Sequence, residues 1–423
     1  MTAVGYKPLE TVLIVDGFST AAYLAPALRS YGLRCVHLLS SPNLPRQHVE
    51  QLQRADYQQC LVHEGDFDAT LAALRPLGIG LILHGFDSAL ELVDRLGEAL
   101  DLPWRNPLAS SAARRDKELM TEAVRRAGLR APEQLLARTV EEALDWARPR
   151  LPVVLKPTRS AGVRGVRICR SEEEVREAAA AVLDGLSFYE DRNEGVLVQR
   201  CSQGQEYIVD SVSFEGRHRL VSLWQVERDR RAAPRLEHML VVDHRESRYR
   251  ALIDYAFAVL DALELRYGAS HLEIMDTPEG PSLIELNARM HGSLDPRLTT
   301  AVSGENHVSA TVETFLNPAG FERRLQEAPE FRGHCGHLLL VAPRGGRLAR
   351  DFIWSEIAAL PSFVSTKQWV KPGDLLQPTT DLKTALGMVG LFHPRLETLE
   401  QDTQRIRALE QQFFADTRAL EPA

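Results

Sequence analysis

The sequence lacks the features that would place the protein in a membrane, outside the cell or on nucleic acid. No apolar run approaches the roughly 20 residues that cross a bilayer. The first residues, MTAVGYKPLE, show no charged segment followed by an apolar one, so we expect no signal peptide. The net charge of −8 is opposite to the basic excess of nucleic-acid-binding proteins. We therefore expect a cytoplasmic protein that binds neither nucleic acid nor a membrane.

Paired cysteines are also missing. The chain of 423 residues has five cysteines, which are far apart and form no CxxC motif. They predict reduced thiols, with neither a disulfide framework nor a zinc site. The hydrophobic content of 44% and the charged content of 26% are ordinary for a soluble globular protein of two to four domains. The cysteines are Cys35, Cys60, Cys169, Cys201 and Cys335.

The N-terminal part has no dinucleotide-binding fingerprint. An apolar strand, a helix and a second strand, LRCVHLL, follow one another within about thirty residues, which is typical of a parallel sheet. The first turn, DGFST, lacks the glycines of GxGxxG. We predict a doubly wound α/β domain over 1–110. The turns at Asp16–Phe18 and at His84–Gly85 follow its strands, where ligands bind in such folds.

The stretch from His271 to Gly292 predicts a hairpin. Two strand-like runs, HLEIMD and SLIELN, flank the turn residues TPEGP. A five-residue loop from Thr277 to Pro281 would set Glu273 opposite Glu285. Side chains alternate across a strand, which predicts one apolar and one polar face. The apolar face would hold Leu272, Ile274, Ile284 and Leu286, and the polar face Glu273, Glu285 and Asn287.

Two carboxylates directly opposite each other destabilise a sheet unless a cation compensates them. Oxygen ligands suit magnesium, which binds through one or two carboxylates and substrate phosphates. The pattern therefore predicts that Glu273, Glu285 and Asn287 bind a metal, with Arg289 beside it. The alternative is a solvated strand face with scattered charges.

A second informative stretch is LPVVLKPTRSAGVRGVRICRS. A buried-type strand ends on Lys156, and a loop with Ser160, Gly162 and Gly165 leads to a return strand. The loop is not a Walker A motif, because GxxxxGK[ST] is absent. Its backbone amides are suited to cover phosphates, and a buried lysine without compensation is costly. The alternative is a glycine-rich hairpin without a ligand.

The order of four features resembles the ATP-grasp superfamily. These features are Lys117 on a helix, Lys156 before the small-residue loop, Gln199 to Glu206 at a strand crossing, and Glu273 followed by Glu285-x-Asn287-x-Arg289. The resemblance covers roughly residues 100–320. It implies a fold of the α/β and α+β classes, with the N-terminal domain over 1–110, a lid subdomain over 111–205, a catalytic subdomain over 206–321 and a β-rich C-terminal extension over 322–423.

The resemblance implies roles for these residues. Lys117 and Lys156 would hold the ATP phosphates, with Lys156 also catalytic, and the loop with Ser160, Gly162 and Gly165 would cover them. Glu206 would bind the ribose. Magnesium, or manganese in its place, would lie on Glu273, Glu285 and Asn287, and Arg289 would steady the transferring phosphoryl group. The adenine would meet Gln199, where the family usually has Glu, and the backbone of Arg200 and Cys201.

Within the superfamily the chain looks most like L-amino-acid ligases of toxin and antibiotic pathways, which join two amino acids and so imply small-molecule partners. A homodimer is an expectation of the resemblance alone. Gly292 and Ser293 would contact substrate where the family often has Gly-Gly. Glu237 and His238, in a polar loop, are candidates for binding or deprotonating the amine. The alternatives are a ligase for another acid and amine, a carboxylase, a nucleotide-binding regulator without turnover, and a structural α/β protein.

Overall fold

The chain forms one parallel and three antiparallel sheets in the part that the structure, a computed structural model, describes. This agrees with the predicted mixed α/β and α+β class. No helix in this part is long and apolar enough to cross a membrane. The described residues are 9–44, 49–50, 52–160, 165–185, 192–229, 234–327, 330–416 and 418–421.

The N-terminal part is a doubly wound domain, as predicted. Its parallel sheet has the order β3-β2-β1-β4, and every residue of β1 is buried. Val15 pairs with His84, so β1 and β4 end side by side. The elements are β1 (Thr11–Val15), α1 (Leu24–Ser30), β2 (Arg34–Leu39), β3 (Gln59–Val62), α2 (Phe67–Leu74), β4 (Ile79–His84) and α3 (Leu90–Ala99).

Arg114 joins this domain to the rest of the chain. Its guanidinium lies 2.8 Å from the carboxylate of Asp94 on α3, and both side chains are buried. The same group donates hydrogen bonds to the carbonyls of Pro107 and Leu263. A buried guanidinium needs such partners, because an unpaired buried charge is strongly destabilising. These contacts hold α3 against the segments that contain Pro107 and Leu263.

The next part is a small antiparallel sheet with the order β5-β8-β6-β7, with its own buried core. Asp116 caps the first helix by accepting hydrogen bonds from the backbone N–H groups of Glu118 and Leu119. The elements are α4 (Lys117–Arg126), β5 (Gln134–Ala137), α5 (Val140–Ala147), β6 (Val153–Lys156), β7 (Arg167–Cys169), α6 (Glu172–Leu183) and β8 (Val196–Arg200).

The largest sheet has eight strands in the order β13-β12-β9-β10-β11-β14-β18-β16. Its last three strands come from the C-terminal residues, which therefore extend this large sheet, and α12 packs on that extension. The elements are β9 (Gln205–Phe214), β10 (Arg217–Asp229), β11 (Arg235–Val241), α7 (Arg250–Ala262), β12 (Gly268–Thr277), β13 (Gly280–Asn287), α8 (Pro296–Ser303), α9 (His307–Leu316), α10 (Pro318–Arg324), β14 (His334–Leu340), β15 (Gly346–Leu348), α11 (Trp354–Ala358), β16 (Phe363–Gln368), β17 (Leu375–Leu376), β18 (Gly387–His393), α12 (Leu396–Ala415) and β19 (Leu420–Glu421).

The β12–β13 hairpin pairs Glu273 with Glu285 as predicted, but the length of its turn and the register of its strands differ from the prediction. The predicted five-residue loop is wrong, because Thr277 pairs with Gly280 and only two residues form the turn. Gly280 has a φ of 112°, a backbone conformation that residues with a side chain rarely adopt. A glycine at this position therefore permits the tight turn.

A β-bulge compensates for the shorter loop. The register shifts beside Glu273, so that Ile274 pairs with Leu283 and Ile284 is the extra residue. Leu283 therefore replaces Ile284 in the buried core beneath the hairpin, which corrects the predicted apolar face. The shift of one residue returns Glu285 to the position opposite Glu273.

Candidate active site

Three neighbouring strands bring acidic side chains together around one arginine. Glu206 is on β9, Glu273 on β12 and Glu285 on β13. Arg228, at the end of β10, lies 2.7 Å from Glu206 and 3.4 Å from Glu273. Burial opposes the charge of Glu273, but the neighbouring His271 and the charge of Arg228 outweigh it and hold the pKa well below the usual range. Glu273 is therefore ionised at neutral pH.

Lys117 compensates the other carboxylate of the pair. It is buried at the start of α4, and its Nζ lies 2.8 Å from Oε1 of Glu285. The ammonium also donates a hydrogen bond of 3.3 Å to the carbonyl of Ser160. The loop after β6, the helix α4 and the hairpin therefore converge on one point.

Lys156 is the second buried ammonium, at the end of β6. Burial and then the charge of Lys117 lower its pKa to about 8, against the attraction of Glu285 and Glu273. Two ammonium groups that oppose each other's charge favour an anion beside them. In the same loop, the Oγ of Ser160 is buried and has no hydrogen-bond partner among the described residues. Gly165 has a φ of 75°, and Gly162 lies outside the described residues.

The predicted adenine end lies on β8. Gln199 is buried, and its amide donates a hydrogen bond of 2.8 Å to Oε1 of Gln134. The backbone N–H groups of Arg200 and Cys201 bind the carbonyls of Glu133 and Pro152. These two N–H groups are therefore already bonded within the chain and are not available to an adenine.

Arg289 connects the hairpin to the N-terminal domain. Its Nη2 donates to Oδ1 of Asn287 at 3.2 Å, and its Nη1 donates to the carbonyl of Met290. Its Nε donates to Asp87 at 2.9 Å, just beyond the end of β4. The carboxyl end of β4 thus reaches the site, and Asp87 is a residue that the sequence reasoning missed.

The backbone of Ser293 forms hydrogen bonds to the N-terminal domain and to the C-terminal strand β16. Its backbone has a φ of 61°, which is uncommon for a residue with a side chain. The N–H of Ser293 donates to Oγ of Ser19 at 2.7 Å, and its carbonyl accepts from Nζ of Lys367 at 2.9 Å. Gly292 lies beside Ser19 and Arg289. Strained backbone of this kind is common where a site must be held in shape.

Glu237 and His238 lie on strand β11, so their predicted placement in a loop is wrong. Glu227 pairs with His238 and Arg228 with Leu236, so Glu237 is the extra residue of a β-bulge and regular alternation does not fix its face. His238 lies beside Gly336, and the buried Leu399 of α12 lies close to the same glycine. Glu237 lies 2.9 Å from Arg235. The structure does not bring His238 together with the carboxylates, so its role as a base stays a prediction without geometric support.

A buried network behind Glu273 was also missed. Asp210 accepts hydrogen bonds from Nδ1 of His271 at 2.9 Å and Nδ1 of His291 at 3.0 Å, and from Ser222 and Trp224. Asp210, His271 and His291 are close enough to share a metal ion. Four donors already satisfy the carboxylate, however, so a hydrogen-bond network accounts for it.

The Asp210 network also bears on the charge of Glu273. Nε2 of His271 lies 3.6 Å from Oε1 of Glu273. Burial disfavours the charged imidazole of His271, but hydrogen bonds to Asp210 and Glu273 raise its pKa to about 9. The network thus places a cation behind this carboxylate and orients it.

The donor set at the hairpin fits a hard cation. Glu273, Glu285 and Asn287 offer only oxygen atoms, and Glu273 faces Glu285 directly across the two strands. Four cationic side chains surround these oxygens, namely Lys117, Lys156, Arg228 and Arg289. Fixed positive charges beside oxygen ligands for a metal ion are suited to bind a polyphosphate together with that metal ion.

This fold and this set of oxygen donors and cations are typical of an enzyme that binds a nucleotide and a metal ion. The sequence comparisons narrow the class. A model of the ATP-grasp domain matches residues 149–295. Over 412 residues the chain is 31% identical to dapdiamide A synthase of Enterobacter agglomerans, covering 96% of this chain and 97% of that protein. The chain therefore belongs to the ATP-grasp ligases, the ATP-dependent carboxylate–amine ligases, as the resemblance implied.

Solved structures agree with this fold. The L-amino acid ligase from Bacillus licheniformis superposes with a TM-score of 0.75 at 17% identity, covering 95% of this chain and 98% of that one. The biotin carboxylase domain of the Hydrogenobacter thermophilus 2-oxoglutarate carboxylase, in complex with MgADP, gives 0.64 at 17% identity, covering 96% and 90%. At these identities the likeness concerns the fold.

Proposed function

We propose that the protein is an ATP- and magnesium-dependent L-amino-acid ligase, with manganese as a substitute metal. It would join two amino acids through an acyl phosphate and release ADP and phosphate, in toxin, antibiotic or other secondary metabolism. The observation that carries the proposal is the opposed pair Glu273 and Glu285, with Lys117 bonded to Glu285 and Arg289 bonded to the neighbouring Asn287. The relationship to dapdiamide A synthase supports a biosynthetic ligase, and the choice of amino acids as substrates is part of the proposal.

The chain's own groups would bind and orient the nucleotide. Lys117 and Lys156 hold the phosphates, since they are buried ammonium groups at one loop. Glu273, Glu285 and Asn287 would hold magnesium, which supplies further charge neutralisation when bound. Neutralisation and positioning are what phosphoryl transfer requires, because the protein does little covalent chemistry in it.

The first step activates a carboxylate. One oxygen of the first amino acid's carboxylate attacks the γ-phosphorus of ATP, the bond to the β-phosphate oxygen breaks, and ADP leaves with that electron pair. Arg289 is placed to stabilise the charge that spreads over the transferring group. Asp87 and Asn287 hold two sides of its guanidinium and fix its plane.

The second step forms the amide bond. The neutral amine of the second amino acid attacks the acyl carbon, and phosphate leaves with the electron pair of the broken C–O bond. The amine loses a proton as the bond forms. Glu237 and His238 remain the two predicted proton acceptors, and Glu237 already pairs with Arg235.

A screen for phosphate release tests the proposed function. The protein is incubated with ATP, magnesium and pairs of amino acids, and ADP and phosphate are measured against each amino acid alone. We expect release that requires both members of at least one pair, with a dipeptide of the summed mass less water. ATP binding without release for any pair would contradict the ligase function.

We expect ATP affinity to fall as the pH rises through about 8. Burial lowers the pKa of Lys156 to about 8, so its positive charge is present below this pH and is lost above it. Bound phosphate favours the charged form and moves the midpoint upward. Calorimetric titration with ATP measures the affinity at a series of pH values between about 6.5 and 10. This range includes the lowered pKa of Lys156 and approaches the ordinary pKa of a lysine, about 10.4.

The variant Lys156→Arg separates this lysine from the other groups that titrate nearby, such as His271 with a pKa of about 9. Arginine stays charged throughout, so the decline near pH 8 is expected to disappear. A decline of unchanged midpoint in Lys156→Arg would assign the pH dependence to another group.

A further inference from the structure

Lys367 is a cation beside the loop that carries Arg289, and its charge is incompletely compensated. It lies on β16, and its Nζ donates a hydrogen bond of 2.9 Å to the carbonyl of Ser293. An ammonium has three donors. Within the described ranges no carboxylate lies within ion-pair distance of Nζ, although Asp295 attracts it from farther away. Burial lowers the pKa of Lys367, as expected for a cation short of partners.

His337 lies on the same face of the sheet. It pairs with Gly390 on β18, which pairs with Ser365 on β16, two residues before Lys367. Residues in one such row share a face, and so do residues two apart on a strand. His337 is buried, and its Nδ1 has no hydrogen-bond partner among the described residues. A buried nitrogen without a partner is rare and calls for an explanation.

The charge state of His337 makes it a hydrogen-bond donor without a second positive charge. Burial, and after it the charge of Lys367, lower its pKa to about 3, so the ring is neutral. A neutral imidazole carries one N–H. Together the two side chains offer an ammonium and a neutral donor, which suit a carboxylate.

We propose that Lys367 and His337 bind the free carboxylate of the second amino acid, the one whose amine attacks. This rests on the proposed function, in which the first carboxylate is consumed in forming the acyl phosphate near Arg289. The carboxylate of the second substrate takes no part in bond formation and requires a cation elsewhere. Lys367 bonds to Ser293, four residues beyond Arg289, and so stands beside the same loop.

The subsite gives the C-terminal residues a function. β14 and β16 extend the catalytic sheet and would select amines that carry a carboxylate over amines that do not. A competing explanation is that Lys367 only positions the loop through the carbonyl of Ser293. Loss of a positioning contact lowers the rate with every amine, whereas loss of a carboxylate subsite lowers it only with substrates that have the carboxylate.

The experiment uses an amino acid accepted as the second substrate and its carboxamide. Steady-state kcat/KM is measured for both with the wild-type protein and with Lys367→Met. Since hydrogen bonds to charged groups contribute about 1.5–3 kcal/mol, we expect the variant to lose about 10- to 100-fold with the acid and less than about twofold with the amide. Lys367→Arg should keep the preference for the acid.

Lys371→Met is the matched control, because Lys371 is exposed on the turn after β16, and it should change neither value. If Lys367→Met does not fold, Lys367→Gln and His337→Phe are measured with the same two amines, and both should weaken the preference. Equal losses with acid and amide would overturn the subsite and leave a positioning role. A wild-type protein without turnover for any pair would overturn the proposed function, and the subsite with it.

Discussion

Glu285→Gln is expected to reduce kcat by about 10²- to 10³-fold or more, the range seen when a charge-stabilising group is lost from an active site. The change keeps the shape of the side chain and removes its charge. Glu285 faces Glu273 across the hairpin and lies 2.8 Å from Lys117, so the variant weakens the metal site and leaves Lys117 short of a partner. Turnover and the magnesium concentration for half-maximal rate are measured together, and that concentration should rise.

Glu279→Gln is the matched control for this variant. Glu279 lies in the turn of the same hairpin, is exposed, and undergoes the same chemical change. We expect wild-type turnover and magnesium dependence from it. Circular dichroism and thermal unfolding establish that both variants are folded. Near-normal turnover in a folded Glu285→Gln protein would refute the assignment of this carboxylate to the metal.

Arg289→Lys is expected to lower kcat by about 10³-fold while ATP affinity changes little, as for other arginines that stabilise a transferring phosphoryl group. Lysine keeps the positive charge but lacks the planar fork of donors. In the wild type that fork bonds to Asp87 through Nε and to Asn287 through Nη2. Single-turnover phosphate release and ATP titration separate the chemical step from binding.

Arg250→Lys provides the comparison for Arg289→Lys. Arg250 is 80% exposed and pairs with Asp254 on the surface of α7, so the substitution there should leave both measurements unchanged. A variant of Arg289 that weakens ATP binding and keeps the rate of phosphoryl transfer would assign Arg289 to ground-state binding of the nucleotide.

The shared face of Glu273 and Glu285 was predictable from strand alternation, since the side-chain period of a strand is two, whereas their direct opposition was counted from an assumed loop length. The prediction succeeded although its loop was wrong, because a two-residue turn and a bulge at Ile284 together produce the same pairing. A bulge depends on packing beneath the hairpin, which a local pattern does not contain.

Other parts of the site depend on long-range contacts. Asp210 meets His271 from 61 residues away and His291 from 81 residues away. Asp87 meets Arg289 across 202 residues. The spacing of polar residues within one segment carries no information on such distant partners. They follow from the order of strands in the large sheet and from the docking of the N-terminal domain.

The strand β11 was wrongly predicted as a loop, for a different reason. The segment around Glu237 and His238 is rich in arginine and polar residues, and it therefore predicted a loop. In the structure it lies between β10 and β14, and its partners supply the hydrogen bonds and burial that its composition lacks. Strand propensity depends strongly on such context.

Transfer of an oxygen isotope tests the central claim, that the carboxylate is activated by the γ-phosphoryl group of ATP. The first amino acid is labelled with ¹⁸O in its carboxylate, and the products of a completed reaction are analysed by mass spectrometry. Attack by that carboxylate on the γ-phosphorus, in the site of Arg289 and the opposed glutamates, predicts one labelled oxygen in the released phosphate for each dipeptide formed, and none in ADP. Label in AMP, or dipeptide formed with unlabelled phosphate, would contradict the account.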